Sequence, residues 1–284
     1  MNIIETIKSK YNIKDYISEK TGLEWQSVGI WQDLEQCPFC NGRNCFRLSV
    51  SNAVHCFQCF SHANDVIKFR SLHENIAYKE SIERFKKELG IKNADKRNVE
   101  WVELREIACD YLKEALFICQ TKYQFKFENV VHNIIPLHYL TDLRKHTHYA
   151  ILEFRLGFND GGLIDFLKKS YSEDILKGVG FLSPKGTAYI PQGCFTYPFI
   201  VDGEINYFRT KDPNKIIESQ MPEVVKGKNA VWYNQDCIKD TNELWLCEGE
   251  DDVISLWDSG ITAVGCLGSI QDRQVSFIAP AKHN

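Results

Sequence analysis

Apolar residues recur at helical spacing in two early stretches, first Ile3, Ile4, Ile7 and Tyr11, then Ile82, Phe85 and Leu89. A 3.6-residue period marks one buried helix face, so two helices are expected, the second stopped by Gly90. The stretch KNADKRN at 92–98 is polar, charged and without apolar period, and it reads as a linker. Beyond it the pattern is mixed and mostly helical as far as Gly178. Two strand-like runs follow, CFTYPFIV and INYFRT, separated by the turn signal DGE. From Glu243 the order is strand, turn, helix, strand: ELWLC, EGE, DDVISLWDSG and ITAVGCLGS. No internal repeat or low-complexity tract interrupts this. The expected fold class is α+β and multidomain, in blocks 1–92, 99–240 and 241–284.

Composition agrees and adds limits. A chain of 284 residues, 44% hydrophobic and 25% charged, has the profile of about two globular domains. No apolar run approaches the roughly 20 residues that cross a bilayer. The first segment, MNIIETIKSKYNIKDYISEKTG, mixes acids with lysines and lacks an apolar signal core, so it belongs to the fold. The eleven cysteines are odd in number. Seven of them (Cys45, Cys109, Cys119, Cys194, Cys237, Cys247, Cys266) are scattered, most in apolar or strand-like surroundings. That usage fits free thiols in a reducing cytoplasm. A net charge of -4 does not mark a nucleic-acid binder by itself, and leaves a local basic surface open.

The other four cysteines carry chemistry. Cys37, Cys40, Cys56 and Cys59 are spaced C-x2-C-x15-C-x2-C. Two residues between cysteines let a tight turn aim both thiolates at one ion, and two such knuckles complete a tetrahedral zinc site. Four thiolates leave no open position, so the role is structural rather than hydrolytic. Such a metal contributes about 10–16 kcal/mol in small peptides. The intervening CFRLSV and AVHCF read as ribbon strands joined at Ser51-Asn52. Cys45 and His55 fall outside the paired spacing and stand as alternative ligands, with His55 otherwise a ribbon-surface residue. Phe46, Arg47, His55 and Phe57 either present rings and charge to a single strand or form a packed ribbon face with a solvated arginine.

Two further clusters lie downstream. Arg209, Lys211, Lys215, Lys226 and Lys228 form a basic stretch beside Tyr207 and Phe208, which is either a solvated face or a phosphate-binding surface. Glu248 follows an apolar strand, and Gly249 and a helix containing Asp252 come next. Ligands of open α/β sheets bind at strand carboxyl ends, which suits Glu248 to metal or acid–base work. The competing reading is a helix N-terminus that favours acids.

The stretch NIKDYISEKTGLEWQSVGIWQDLEQCPFCNGRNCFRLSVSNAVHCFQCFSHANDVIKF resembles the zinc-binding domain of bacterial-type (DnaG-like) DNA primases. The likeness rests on CPFC, CFRLSV, HCFQC and DVIKF, in that order. Cys40 stands where the common pattern has histidine, and Gln58 or Phe60 replaces a usual glycine, as a phage-like, plasmid-like or otherwise divergent member would show. YLTDLRKHTHYAILEFRLGF, GCFTYPFIVDGEINYFRT and DPNKIIESQMPEVVKGKNAVWYN resemble the family's polymerase segments. LWLCEGEDDVISLWDSGITAVGCLGS resembles the opening of a Toprim domain.

The resemblance implies an N-terminal zinc ribbon, a mixed α/β N-terminal polymerase subdomain and the start of an α/β Toprim fold. By the same likeness Arg209, Lys215, and Lys226 or Lys228 match basic positions for template or nucleotide. Glu248 matches the catalytic acid and Asp252 an accompanying one. The implied partners are single-stranded DNA, ribonucleoside triphosphates and a replicative helicase, with structural Zn2+ and catalytic Mg2+ or Mn2+. The family's D-x-D metal pair is expected beyond Asn284, so the chain as it stands is expected not to make primers by itself. The alternative is a non-catalytic, primase-derived accessory protein that engages DNA or a replication partner.

Overall fold

Ile3, Ile4 and Ile7 are all buried and fix the inner face of helix α1 (Ile3–Lys10). The computed structural model describes residues 3–28, 31–48, 53–90, 96–214, 219–220, 232–266, 270 and 274–275. Asn12 caps helix α2 (Ile13–Thr21), its Oδ1 accepting from the backbone N–H of Lys14 at 2.9 Å and of Asp15 at 3.3 Å. These are two of the donors that a helix start leaves open. An antiparallel five-stranded sheet follows in sequence order: β1 (Trp25–Val28), β2 (Trp31–Gln36), β3 (Arg43–Leu48), β4 (Val54–Cys56) and β5 (His62–Ala63). Helices α3 (Val66–His73) and α4 (Tyr78–Leu89) complete this part, and Gly90 ends α4 in the left-handed conformation (φ 69°).

Asp65 ties the helices together. Its Oδ1 caps α3 by accepting from the Lys68 N–H at 2.7 Å, and its Oδ2 pairs with Lys8 Nζ of α1 at 2.9 Å. The ribbon joins the same core through Phe39, whose ring lies 5.6 Å from Phe46 and 5.5 Å from Phe69.

Helix α5 (Lys96–Ile118) contains the division between two compact units, Met1–Leu104 and Arg105–Asn284. Lys96, Arg97 and Asn98, expected in a linker, begin this helix. The preceding residues of that stretch lie outside those described.

The second unit departs from the helical expectation at once. β6 (Tyr123–Phe127) and β7 (Val130–Ile134) form a hairpin. Its turn residues Glu128 and Asn129 both have positive φ, 48° and 67°, which suits the twist of a two-residue hairpin loop. Tyr123, Phe125 and Phe127 alternate inward, a period of two that the surrounding helical pattern conceals. Short elements follow: α6 (Pro136–His138), which runs into a π-helical turn at Tyr139–Leu143, α7 (His148–Glu153), β8 (Gly157–Phe158), α8 (Leu163–Lys168) and α9 (Glu173–Val179).

β9 (Phe195–Val201) and β10 (Glu204–Lys211) are the two expected strands, and Asp202-Gly203 turns between them. With β11 (Ser219–Gln220) they make a sheet of order β11-β10-β9-β8. The strand-helix-strand expected after Glu243 is β12 (Trp245–Cys247), α10 (Glu250–Asp258) and β13 (Ala263–Gly265), with β12 and β13 parallel. Phe125, Tyr139, Phe158, Phe195 and Tyr197 fill the centre of this unit with Val253 and Ile254 of α10. Among the described residues no helix is long and apolar enough to cross a membrane.

A buried ion pair braces the unit. Arg155, in left-handed backbone (φ 54°) just after α7, donates from Nη2 to Glu106 Oε2 at 2.7 Å and from Nη1 to Oε1 at 3.2 Å. Glu106→Ala removes both hydrogen bonds from this buried guanidinium and leaves Asp110 Oδ1 at 4.0 Å from its Nη2. The expected cost is roughly 3 kcal/mol, read from the denaturant midpoint; a change below about 0.5 kcal/mol would show that the pair does not brace the unit.

Candidate metal centre and charge cluster

The two knuckles form where β2 gives way to β3 and where β4 gives way to β5. In the first, the Cys37 N–H bonds the Gly42 carbonyl at 2.8 Å, and the Asn41 N–H bonds the Cys37 carbonyl at 3.0 Å. In the second, the Cys56 N–H bonds the Ser61 carbonyl at 2.8 Å. These turns bring the Sγ atoms of Cys37, Cys40, Cys56 and Cys59 within 4.8 Å of one another. A tetrahedral zinc with bonds of about 2.3 Å needs sulfurs about 3.8 Å apart, and Cys40 and Cys56 are 3.7 Å apart. The four cysteines are arranged for zinc binding.

Backbone N–H groups also point at the sulfurs: Phe39 to Cys37 at 3.4 Å, Gln58 to Cys56 at 3.4 Å and Cys59 to Cys56 at 3.3 Å. Burial pushes the Cys37 and Cys56 thiols up. At Cys40 burial acts the same way but is outweighed by the Gly42 N–H and the neighbouring thiols, which draw it down to about 7. A divalent cation is the charge that would ionise the two buried thiols.

Cys45 lies outside the quartet, with its Sγ 3.5 Å from Cys56 Sγ. His55 is a correction to the sequence reading. It is buried rather than on the ribbon surface, because β4–β5 pairing sets it opposite His62, with the tilted rings 4.4 Å apart at their centroids. Arg47 sits opposite Asp33 in the β2–β3 register and makes a bidentate pair with it, Nη2 to Oδ2 at 2.7 Å. Its guanidinium carbon is 5.8 Å from the Phe57 ring centroid.

In the second unit Glu248 follows β12 and precedes α10, at a strand carboxyl end as expected. Asp252 has a local task, its Oδ2 accepting from the Gly249 N–H at 3.2 Å to cap α10. Gly249 is not needed for the turn. Its backbone (φ −125°, ψ 170°) is open to any residue, and an added Cβ would meet only Asp252 Oδ2, at 3.6 Å.

Arg209 and Lys211 are brought together on one face of β10, and Glu250 lies between them. Glu250 Oε1 is 3.0 Å from Arg209 Nη1, and its Oε2 is 2.9 Å from Lys211 Nζ. The neighbouring Asp251 meets four groups. Its Oδ1 accepts from the Tyr197 hydroxyl at 2.9 Å and lies 3.2 Å from His146 Nε2. Its Oδ2 lies 3.4 Å from Lys211 Nζ and 3.5 Å from Arg144 Nη1.

Burial pushes the Asp251 carboxyl up. The His146 hydrogen bond and the Lys211 and Arg144 charges outweigh it and hold the group well below the usual carboxylate range. Burial, then the Asp251 charge, pushes Tyr197 far up, so it stays a donor. Sequence reasoning missed Glu250, Asp251, Tyr197, Arg144 and His146. Glu250 and Asp251 carried a signal, two acids inside EGEDD, whereas Arg144 and His146 lie over 100 residues away with none. Lys215, Lys226 and Lys228, and the Gly268-Ser269 end of the Toprim-like stretch, lie outside the described residues.

Residues 1–101 match the family model of the CHC2 zinc finger, the zinc ribbon of DnaG. No curated protein matches the chain. Among solved structures, the zinc-binding and RNA polymerase domains of the Aquifex aeolicus primase share the fold at a TM-score of 0.67 and 21% identity, over 98% of this chain and 70% of that one. The RNA polymerase domain of Mycobacterium tuberculosis primase DnaG aligns at a TM-score of 0.50 and 17% identity, over 65% of this chain and 63% of that one. At these identities the likeness establishes the fold: an N-terminal zinc ribbon and a mixed α/β unit of primase type.

A depressed carboxylate fixes the sign of a pH effect. The Asp251 contribution is fully present above its unfolded pKa of about 3.9 and is lost as pH falls through the lower folded value. Asp251→Asn is therefore expected to cost roughly 3 kcal/mol at neutral pH, a deficit that shrinks only below about pH 4. Denaturant titrations of both chains across this range measure it, and a deficit that fades already between pH 7 and 5 would contradict the assignment.

Proposed function

We propose that this chain, with a CHC2 zinc finger over residues 1–101 and a primase-type fold, is part of a DNA-dependent RNA primase that grips single-stranded template. One observation carries the reading: a four-thiolate ribbon and a primase polymerase fold occur together in a single chain. In this reading 1–92 is the zinc-binding domain, 99–240 the N-terminal polymerase subdomain and 241–284 part of a Toprim subdomain.

Zinc, when bound, supplies a fixed charge that clamps both knuckles. The chain's own groups do the recognition. Arg47, braced by Asp33, and the Phe57 ring offer a charged and stacking surface on the ribbon. Arg209 and Lys211 face phosphate oxygens of template or ribonucleoside triphosphate, and the family likeness assigns the same role to Lys215 and to Lys226 or Lys228. Glu248 is the carboxylate assigned to catalysis, and Asp252 supports it by fixing the start of α10. Among the described residues no group of three or more acidic side chains converges on one point. The second reading is a primase-derived DNA-binding accessory protein without catalysis. A replicative helicase is the replication partner that either reading would serve.

Zinc-loaded protein is expected to bind oligodeoxythymidylate with an affinity that falls with salt, with a log–log slope of about −0.7 per phosphate contacted. Chelation should weaken it at least tenfold. Binding that ignores both salt and zinc would remove the template role. Ribonucleotide incorporation on a single-stranded template, with Mg2+ or Mn2+ supplied, separates the two readings. Incorporation lost in Glu248→Gln supports the enzyme, and incorporation that survives the substitution rules out Glu248 as the catalytic acid.

A further inference from the structure

The charge cluster around α10 is layered. Glu250 and Asp251 lie deepest among the charged side chains, 1% and 15% exposed, whereas Arg209, Lys211 and Arg144 keep 18%, 18% and 34% of their surface in solvent. Arg209 and Lys211 are two apart on one strand, so their side chains point to the same face. Two like charges that close repel, and flexible stems would carry them apart. The single Glu250 carboxylate prevents this by bonding one cation with each oxygen. Asp251 repeats the arrangement one residue on, joining Lys211 to Arg144 and fixing His146 and Tyr197 behind them. The Tyr197 ring supports Lys211 from below, with Nζ 4.9 Å from its centroid. Arg144 in turn lies 5.2 Å from the Phe127 centroid and donates from Nε to the Tyr139 hydroxyl at 3.2 Å. Arg144, Arg209 and Lys211 meet the carboxylates of Glu250 and Asp251 here, with Glu248 and Asp252 on the same turn.

We propose that Glu250 and Asp251 are positioning residues which hold Arg144, Arg209 and Lys211 as a preset cationic face for phosphate oxygens, on the same strand-to-helix turn that carries Glu248. This inference rests on the primase reading above and adds what sets the geometry of its phosphate contacts. The carboxylates do not compete with the ligand. They hold the lysine and arginine stems in place and so reduce the entropy those stems would lose on binding. The ligand chemistry is a phosphate-bearing chain, from nucleic acid or from a nucleoside triphosphate.

The test exploits an opposition of signs. Removing a buried negative charge beside a cationic face should tighten anion binding if charge alone matters, and loosen it if the carboxylate positions the cations. Zinc-loaded wild type, Glu250→Gln, Asp251→Asn and Lys211→Met are titrated with oligodeoxythymidylate and, separately, with metal-free ATP at several salt concentrations. Circular dichroism and thermal melting check the fold. Glu250→Gln is expected to weaken binding about tenfold and to make the salt slope shallower by roughly one contact, like Lys211→Met. The probe that responds identifies the source of the phosphate.

Binding by Glu250→Gln as tight as wild type, or tighter, with the wild type binding normally, overturns the positioning role and leaves the primase reading intact. Wild type that binds neither probe removes both. If Glu250→Gln does not fold, Asp251→Asn carries the same expectation and the same refutation.

Discussion

Four sulfur atoms fix the two knuckles of the ribbon, and its buried Leu34, Phe46 and Val54 join them to the helical core. Its strands are two to six residues long, and short strands of this kind close little apolar surface by themselves. A structural metal is worth about 10–16 kcal/mol, as much as the whole stability of an ordinary domain. The knuckle geometry, the N–H groups turned toward sulfur and the placing of Phe39 in the helical core all follow from bringing the cysteines to one point. Whatever Arg47 and Phe57 do at the ribbon surface depends on strands registered by that point.

The second unit solves a different problem. It gathers several cations near a strand end, where like charges repel. Buried carboxylates do this, and the start of α10 is a favourable place for them, since the positive end of the helix dipole stabilises acids there. An acidic helix start is usually a sufficient reading of such residues. Here it is incomplete, because Glu250 and Asp251 also bond side chains from β10 and from the segment before α7.

Much of this was legible in the sequence, for physical reasons that differ by element. The zinc quartet could be read from spacing because thiolate geometry is rigid and local. α1 and α4 could be read because Ile3, Ile4, Ile7, Ile82 and Phe85 repeat at the helical period and are buried. The β9–β10 hairpin and the β12–α10–β13 unit carried turn signals and apolar strands. The β6–β7 hairpin did not show, because five-residue strands beside helical stretches leave too little alternation to detect. The partners of Asp251 were hidden for another reason: His146, Arg144, Tyr197 and Lys211 meet only when three separate segments fold together. His55 was misread because its burial depends on β5, a two-residue strand.

The dependence of the ribbon on its metal is the central claim, and amide hydrogen exchange on zinc-loaded and chelated protein tests it most directly. With zinc, the Phe39, Gln58 and Cys59 amides that point at sulfur, and the paired amides of β3 and β4, should exchange slowly. On chelation they should lose protection by two orders of magnitude or more, equivalent to at least about 2.7 kcal/mol, while β9 and β10 serve as internal reference. Equal protection of the ribbon amides with and without metal would contradict the account.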